Sequence, residues 1–210
     1  MNGTLAQQKV YAGYAKAAQY MGKDYQLFRP TNALSPINAP VRTLPAAFSQ
    51  DANFSKPNEY GNSVWDALVD GNQTQVGDYL VGPSTFFIAG MQHLLPILCV
   101  ECNRIINVLR PTQPNGVGAV GYGGDVTTTE TLMLQGWPAS ILQGTKGEKN
   151  PAGLPGDERL PWWIILLPAW PGVTINTSDV ITDDLGRRYI VSSPELTDFG
   201  WRIVASMQGA

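Results

Sequence analysis

The spacing of apolar residues changes character along the chain. Between Val10 and Met21 they recur at the interval of one helix face, and Gly22 follows as a stop signal. This pattern predicts a single helix that begins near Thr4. Beyond residue 60 the apolar runs become short and are separated by turn residues, which is typical of strands.

The strand-like runs fill most of the remaining sequence. They fall at residues 64–69, 78–81, 85–89 and 97–109, then at 127–135, 139–142, 162–167, 173–175, 179–181, 188–191 and 201–205. Runs of this length joined by Gly, Pro and Asn turns predict β-meanders. The expected fold class is therefore mainly β, with β-barrel or sandwich-like units and one N-terminal helix.

Two predicted hairpins resemble each other. In residues 77–88 and 178–191, a small residue precedes an Asp, then an apolar strand, a turn and an aromatic-led second strand. In such a hairpin, Asp78 or Asp179 can accept hydrogen bonds from turn amides while the aromatic residues fill a core. The likeness has two interpretations, convergence on a common hairpin or two related β-subdomains.

Residues 30–57 have a different composition, rich in Asn, Ser and Ala and interrupted by prolines at 30, 36, 40, 45 and 57. A long loop of this kind predicts an extended arm laid on a neighbouring subunit. The expected organisation is a helix plus extended arm in residues 1–60, a β-meander unit in 61–143 and a C-terminal β unit in 144–210. The alternative joins the last two into one continuous domain.

Composition limits the functions open to the chain. Its 210 residues include 22 Gly and 16 Pro, only 15% are charged, and the net charge is −3. This charge argues against a free nucleic-acid-binding protein, and low surface charge favours surfaces covered by other subunits. We see no signal peptide and no apolar run of membrane-spanning length, so we expect folding in the cytoplasm and no membrane partner.

The basic residues are concentrated near the N-terminus. Residues 1–50 contain five Lys and Arg residues against one Asp. Lys9, Lys16 and Lys23 lie seven residues apart and therefore share one helix face. That face is either solvated or a basic surface for an acidic partner subunit or DNA.

Two cysteines have the spacing of half a zinc site. Cys99 and Cys102 would need further ligands, and His93 is the only histidine in the chain. Positions three apart in a strand point to opposite faces. The sequence therefore predicts buried, inert cysteines and no bound metal.

Other chemical motifs lack the required context. Residues 116–121 match a dinucleotide-binding pattern, but prolines before it and glycines after it leave no place for a helix, which favours a flexible loop. His93 has no recognisable nucleophile beside it. The acidic pair at residues 157–158 lies in a polar turn, and Asp183-Asp184 predicts a hairpin turn, with weak Ca²⁺ binding as the alternative. We therefore expect no catalytic site and no cofactor.

Three tryptophans lie close together in sequence. Trp162, Trp163 and Trp170 occupy a segment bounded by prolines. They fit core packing, a subunit interface or a platform for stacking sugars.

Several stretches resemble virion structural proteins of tailed bacteriophages, in particular head-to-tail connector proteins of the head-closure or neck type. The stretches are residues 11–18, 28–30, 77–82, 86–89, 102–104, 108–111, 136–141, 179–191 and 200–202. Residues 179–191 resemble the strand-turn-strand of small head-closure barrels, in which an aromatic strand follows a Gly-Arg-Arg turn. This chain differs from simple head-closure barrels in its greater length, its helix and its arm.

The resemblance implies a structural protein of the virion, assembled in the host cytoplasm. Its subunits would form a homo-oligomeric ring that joins the portal or adaptor to the tail and touches packaged DNA without reading its sequence. The expected subunit or DNA contacts are Lys9, Lys16, Lys23, Arg29, Arg187 and Arg188. The alternatives are a tail or baseplate hub subunit, a carbohydrate-binding fibre module, and a lytic or thiol-dependent hydrolase using Cys99 or His93.

Overall fold

The computed structural model describes residues 3–51, 56–111, 130–144 and 161–208. These residues form one N-terminal helix and two closed β-barrels, which confirms the mainly β fold class. The helix among them is too polar to cross a membrane. The glycine-rich motif at 116–121 and the acidic pair at 157–158 lie outside the described residues.

Helix α1 spans Gly3–Met21 and ends at the predicted glycine. The Gly22 N–H donates to the Ala18 carbonyl at 2.8 Å, and a Cβ at Gly22 would lie 2.5 Å from that oxygen. Only glycine fits here. The helix then lies on the outside of the first barrel, where Ala18 packs against Ala47 and Leu68.

The first barrel has the strand order β1-β2-β3-β6-β5-β4 and closes through the pairing of β4 with β1. Its strands are β1 Lys23–Phe28, β2 Pro40–Ser49, β3 Val64–Leu68, β4 Tyr79–Val81, β5 Thr85–Gly90 and β6 Ile97–Cys102. All of its pairings are antiparallel. Closure leaves this barrel without an open sheet edge.

The second barrel follows after a single residue, Asn103. Its strands are β7 Arg104–Pro111, β8 Glu130–Gln143, β9 Trp162–Leu167, β10 Val180–Asp183, β11 Arg188–Thr197 and β12 Gly200–Met207. Their order is β7-β8-β9-β12-β11-β10, closed by β10 on β7. Strand for strand, this is the arrangement of the first barrel.

The registers of the two barrels also correspond. Phe28 at the end of β1 lies opposite Tyr79 of β4, and Leu109 near the end of β7 lies opposite Val180 of β10. Strands β5 and β11 both contain a bulge, and the bulges fall at corresponding positions. Of the two interpretations of the similar hairpins, the structure therefore supports two related β-units.

The barrel interiors are filled by residues at corresponding positions, which alternate with outward-facing residues along the strands. In the first barrel these are Tyr25, Leu27, Leu44, Ala46, Ala67, Val69, Leu80, Phe86, Ile88, Ile97 and Cys99. In the second barrel, in the same order, they are Ile106, Val108, Trp137, Ala139, Ile165, Leu167, Ile181, Tyr189, Val191, Ile203 and Ala205. Each barrel thus has its own packed core.

The barrels also pack against each other. Outward residues of the first barrel, including Phe28, Phe87 and Val100, join the apolar cluster of the second. The Tyr79 hydroxyl donates to the Pro138 carbonyl of β8 at 2.9 Å. Burial of this phenol raises the pKa of Tyr79 well above its ordinary value.

This topology corrects the domain boundaries at 61 and 144. The units meet at Asn103, because β1 and β2 belong to the first barrel and β7 and β8 to the second. The prediction of an extended arm is wrong for residues 40–49, which form β2. Residues 30–39 also contact their own chain, since the Ala33 carbonyl accepts hydrogen bonds from Trp137 Nε1 at 2.6 Å and from the Gln135 N–H at 3.1 Å.

Candidate functional site

In each barrel an Arg–Asp pair lies beside the two strands whose pairing closes the barrel. We call this pair the clamp of that barrel. In the first clamp, Arg29 directly follows β1 and Asp78 directly precedes β4. Arg29 Nε and Nη2 donate to the two carboxylate oxygens of Asp78 at 2.8 and 2.7 Å. Hydrogen bonding to Asp78 raises the pKa of Arg29. The Gln75 N–H donates to the same carboxylate at 2.9 Å.

The second clamp repeats this geometry. Arg110 Nε and Nη2 donate to Asp179 at 2.9 and 2.8 Å, and the Asn176 N–H donates at 2.7 Å. The residue before each Asp, Gly77 or Ser178, has a positive φ of 88° or 73°. The sequence similarity had identified both Asp residues but not their Arg partners. An Arg-Pro step at the end of the first strand of each unit is the signal that could have found them.

Arg29 is therefore held by a structural contact within its own barrel. Arg188 is also engaged, since its Nε donates to Gln208 Oε1 at 3.0 Å and its guanidinium pairs with Glu130. Arg187 is exposed on the turn between β10 and β11. Two of the three arginines expected to contact a subunit or DNA thus make structural contacts within their own chain.

The three lysines have a different environment. Lys9, Lys16 and Lys23 are all exposed, and none of them has an ion-pair partner among the described residues. Helix α1 contains no Asp or Glu. Lys9 and Lys16 lie on its outer side, about 10.5 Å apart along the axis. Lys23 begins β1 just after the helix ends. We call these three residues the basic face.

The tryptophans do not form a common platform. Trp162 is 8% exposed. Trp163 packs edge-on against Tyr189, with ring centres 5.6 Å apart. Trp170 packs edge-on against Trp137 at 5.5 Å. Their first role is packing within their own chain, and Trp170 retains partial exposure.

The cysteines lie in the environments that the strand geometry predicts. Cys99 points into the first barrel, whereas Cys102 packs against the cluster of the second. Burial raises the pKa of both thiols far above the ordinary value. No group of three or more His, Cys, Asp or Glu side chains among the described residues could hold a metal ion.

The acidic residues at 183–184 form the predicted hairpin turn. Asp183 Oδ1 accepts hydrogen bonds from the N–H groups of Leu185 and Arg187 at 3.0 and 2.8 Å. Its other oxygen accepts from the Tyr189 hydroxyl at 3.0 Å. These hydrogen bonds stabilise the turn, and that role is sufficient to explain why the carboxylate of Asp183 is buried.

His93 is exposed in the loop between β5 and β6. Its imidazole approaches the start of α1, where a Cβ on Gly3 would lie 3.6 Å from Nε2. The neighbouring Leu94 N–H donates to Gln7 Oε1 at 2.7 Å. This histidine therefore lies where the helix meets the barrel.

Comparisons with known proteins leave this arrangement without a counterpart. No protein-family model matches the chain, and no curated protein and no solved structure shows significant similarity to it.

Proposed function

We propose that the chain is a non-enzymatic structural subunit of a tailed-phage virion. Its copies assemble as a ring at the head-tail junction, join the portal or adaptor to the tail, and help to retain or conduct the packaged DNA. The proposal combines the resemblance of the sequence to connector proteins with the features described below.

The observation that carries the proposal is the basic face on a rigid support. Lys9 and Lys16 stand on a helix that packs on a closed barrel, and Lys23 begins the first strand of that barrel. Each barrel is filled with apolar side chains and held by a clamp. A ring subunit must keep its shape under load, and closed barrels without open edges suit that task.

The basic face favours contact with phosphates. Lys9 and Lys16, on a helix without Asp or Glu, attract a polyanion together with Lys23. Lysine lacks the planar guanidinium that recognises base edges by paired hydrogen bonds. Contacts of this kind weaken steeply with salt, because they release counterions. The packaged DNA is therefore expected to be held without sequence preference.

Fractionation of purified virions tests the location. Empty heads, DNA-filled heads and free tails would be separated, and this chain measured in each fraction by mass spectrometry. Presence on DNA-filled heads supports the neck. Presence on free tails alone moves the subunit to the tail or baseplate hub, and absence from all fractions refutes the structural role.

Substitution of the lysines tests the basic face. Virions that carry Lys9→Gln, Lys16→Gln and Lys23→Gln together should assemble but release their DNA at lower salt than the parent. Lys56→Gln is the matched control, because Lys56 is also exposed but does not belong to the basic face. Equal DNA release by the triple variant and the parent would remove the DNA contact.

A further inference from the structure

A cleft of about 410 Å³, lined by both polar and apolar residues, lies between the barrels. Tyr60 and Asn62, which precede β3, form one rim, and Glu101 of β6 lies beside them. Ser140 and Gln143 of β8 form the opposite wall. This volume falls within the range of small-molecule sites.

The repeated architecture explains why the cleft exists. Register places Ser140 of β8 where the first barrel has Ala47 of β2. In the first barrel α1 covers that position. Asn103 is the only residue between β6 and β7, so no helix can precede the second barrel in the same way. The first barrel covers this face instead and leaves a gap.

The rim that carries Tyr60 is held in place. Gln50 donates from Nε2 to the Asn62 carbonyl at 2.9 Å, and its N–H donates to Asn58 Oδ1 at 3.1 Å. Its side-chain oxygen also accepts from the Glu59 N–H. The Tyr60 ring is nevertheless 106% exposed. A braced loop thus presents a fully solvated aromatic ring beside the cleft.

The opposite wall is fixed by Asn103. Its side-chain amide donates to the Ile141 carbonyl at 2.9 Å and accepts from the Ile141 N–H at 2.8 Å. This holds Ser140 and Gln143 in position on either side of that residue. Ser140 is only 1% exposed, so its hydroxyl lies deep in the wall, whereas Gln143 is exposed.

The chemistry of the lining selects among ligand classes. The described residues that line the cleft include no Lys, Arg or His, and Glu101 repels anions, which argues against phosphates and nucleic acids. A single carboxylate is too few for a calcium site. Amide and hydroxyl groups can donate to and accept from sugar hydroxyls, a carboxylate can accept from them, and an exposed tyrosine ring can cover the apolar face of a sugar.

We infer that the cleft binds a short neutral oligosaccharide. Tyr60 stacks on one sugar ring, while Glu101 and Gln143 bind its hydroxyl groups. Asn103 and Gln50 act as positioning residues for the two walls. This site does not depend on the proposed ring.

Calorimetric titration of the full chain tests the inference. The probes are N,N′-diacetylchitobiose, maltose and lactose, each at up to about 10 mM. This concentration is high enough to detect dissociation constants in the millimolar range. At least one probe should bind. Tyr60→Ala should weaken that binding about tenfold or more, equivalent to at least about 1.4 kcal/mol. Tyr20→Ala is the matched control, since Tyr20 is an 80% exposed tyrosine on α1 and should leave binding unchanged.

Two further measurements sharpen the result. Binding should be the same in about 0.05 and 0.5 M NaCl, because a neutral ligand is not screened. Gln50→Ala should weaken binding while circular dichroism shows an intact fold. Absence of binding by all three probes, or binding that Tyr60→Ala leaves unchanged, would overturn the inference. Neither result would affect the fractionation test of the ring.

Discussion

Asp78→Asn tests whether the clamp stabilises the first barrel. The Asp78 side chain is 0% exposed and lies 2.7 Å from Arg29 Nη2. Asparagine keeps the shape of the side chain but removes its charge. It also turns one acceptor into an amide donor that faces an N–H of the guanidinium and, at the Oδ2 position, the Gln75 N–H as well.

The expected cost follows from burial. Removing one partner of a buried ion pair costs about 3–5 kcal/mol, because the other charge is left without compensation. Arg29 is 36% exposed and can recover part of its hydration. We therefore expect a loss of about 2–3 kcal/mol in the free energy of unfolding.

The second clamp and a surface pair supply comparisons within the same chain. Asp179→Asn should cost a similar amount, because Asp179 is 3% exposed and Arg110 33% exposed. Glu195→Gln should cost less than about 0.5 kcal/mol. Its pair with Arg202 has an N–O distance of 3.8 Å, with both side chains at least 60% exposed.

Urea unfolding followed by tryptophan fluorescence measures these differences. With a slope of roughly 2 kcal/mol/M, the Asp78→Asn midpoint should fall by about 1–1.5 M urea. Two transitions would show that the barrels unfold separately, and the loss should then appear in only one of them. If Asp78→Asn and Glu195→Gln shift the midpoint equally, the clamp does not stabilise the barrel.

Two more predictions concern packing. Gly22→Ala should destabilise the chain by about 2 kcal/mol or more, since its Cβ would lie 2.6 Å from the Ala46 carbonyl oxygen. At Gly13 an added Cβ meets nothing within 4 Å. Gly13→Ala should therefore stabilise α1 by about 0.5–1 kcal/mol. Thermal unfolding compares the two, and equal shifts would contradict the close approach at Gly22. Because burial raises the pKa of Cys99 and Cys102, both thiols should resist a disulfide reagent at pH 8 in the folded chain and react in urea. Rapid labelling of the native protein would contradict that burial.

Local patterns predicted the helix and the hairpins well. The stop at Gly22, the turn at Asp183 and the opposite facing of Cys99 and Cys102 depend on neighbours within a few residues. Spacing in the sequence is therefore sufficient to recognise them. The exposure of Lys9 and Lys16 also follows from helical spacing, because they lie away from the side of α1 that packs on the barrel. Lys23 lies in β1, so helical spacing does not explain its exposure.

The Pro-rich segment shows where such reasoning fails. Pro40 and Pro45 lie in the part of β2 that pairs with β1 alone, since pairing with β3 begins at Ala47. Proline has no N–H to donate and is rare inside sheets, so the composition favoured an irregular arm. Pro45 lies opposite Asp24 in the ladder, and Pro138 holds the corresponding place opposite Ile105 in β8. At both places the strand is paired on one side only, and this register cannot be seen in the composition.

The barrel interiors must be filled, but not by particular residues, and this explains why the repeat is faint in sequence. The two interiors are alike in position but not in identity, since Tyr25 corresponds to Ile106 and Leu44 to Trp137. A closed barrel needs its interior volume filled, and several combinations of side chains achieve that. The Asp of each clamp, by contrast, must accept both a guanidinium and a turn amide.

Divergence on the outer faces follows the partner that each face meets. Phe87 and Val100 of the first barrel are buried against the second barrel, whereas Ile190 and Ser206 hold the corresponding places on the second and are partly exposed. One face therefore packs within the chain, and its counterpart is partly exposed. The strand order, the bulge positions and the clamp are common to both barrels. Few of these features fix residue identity, so a search for repeated residues finds the Asp-led hairpins and little else.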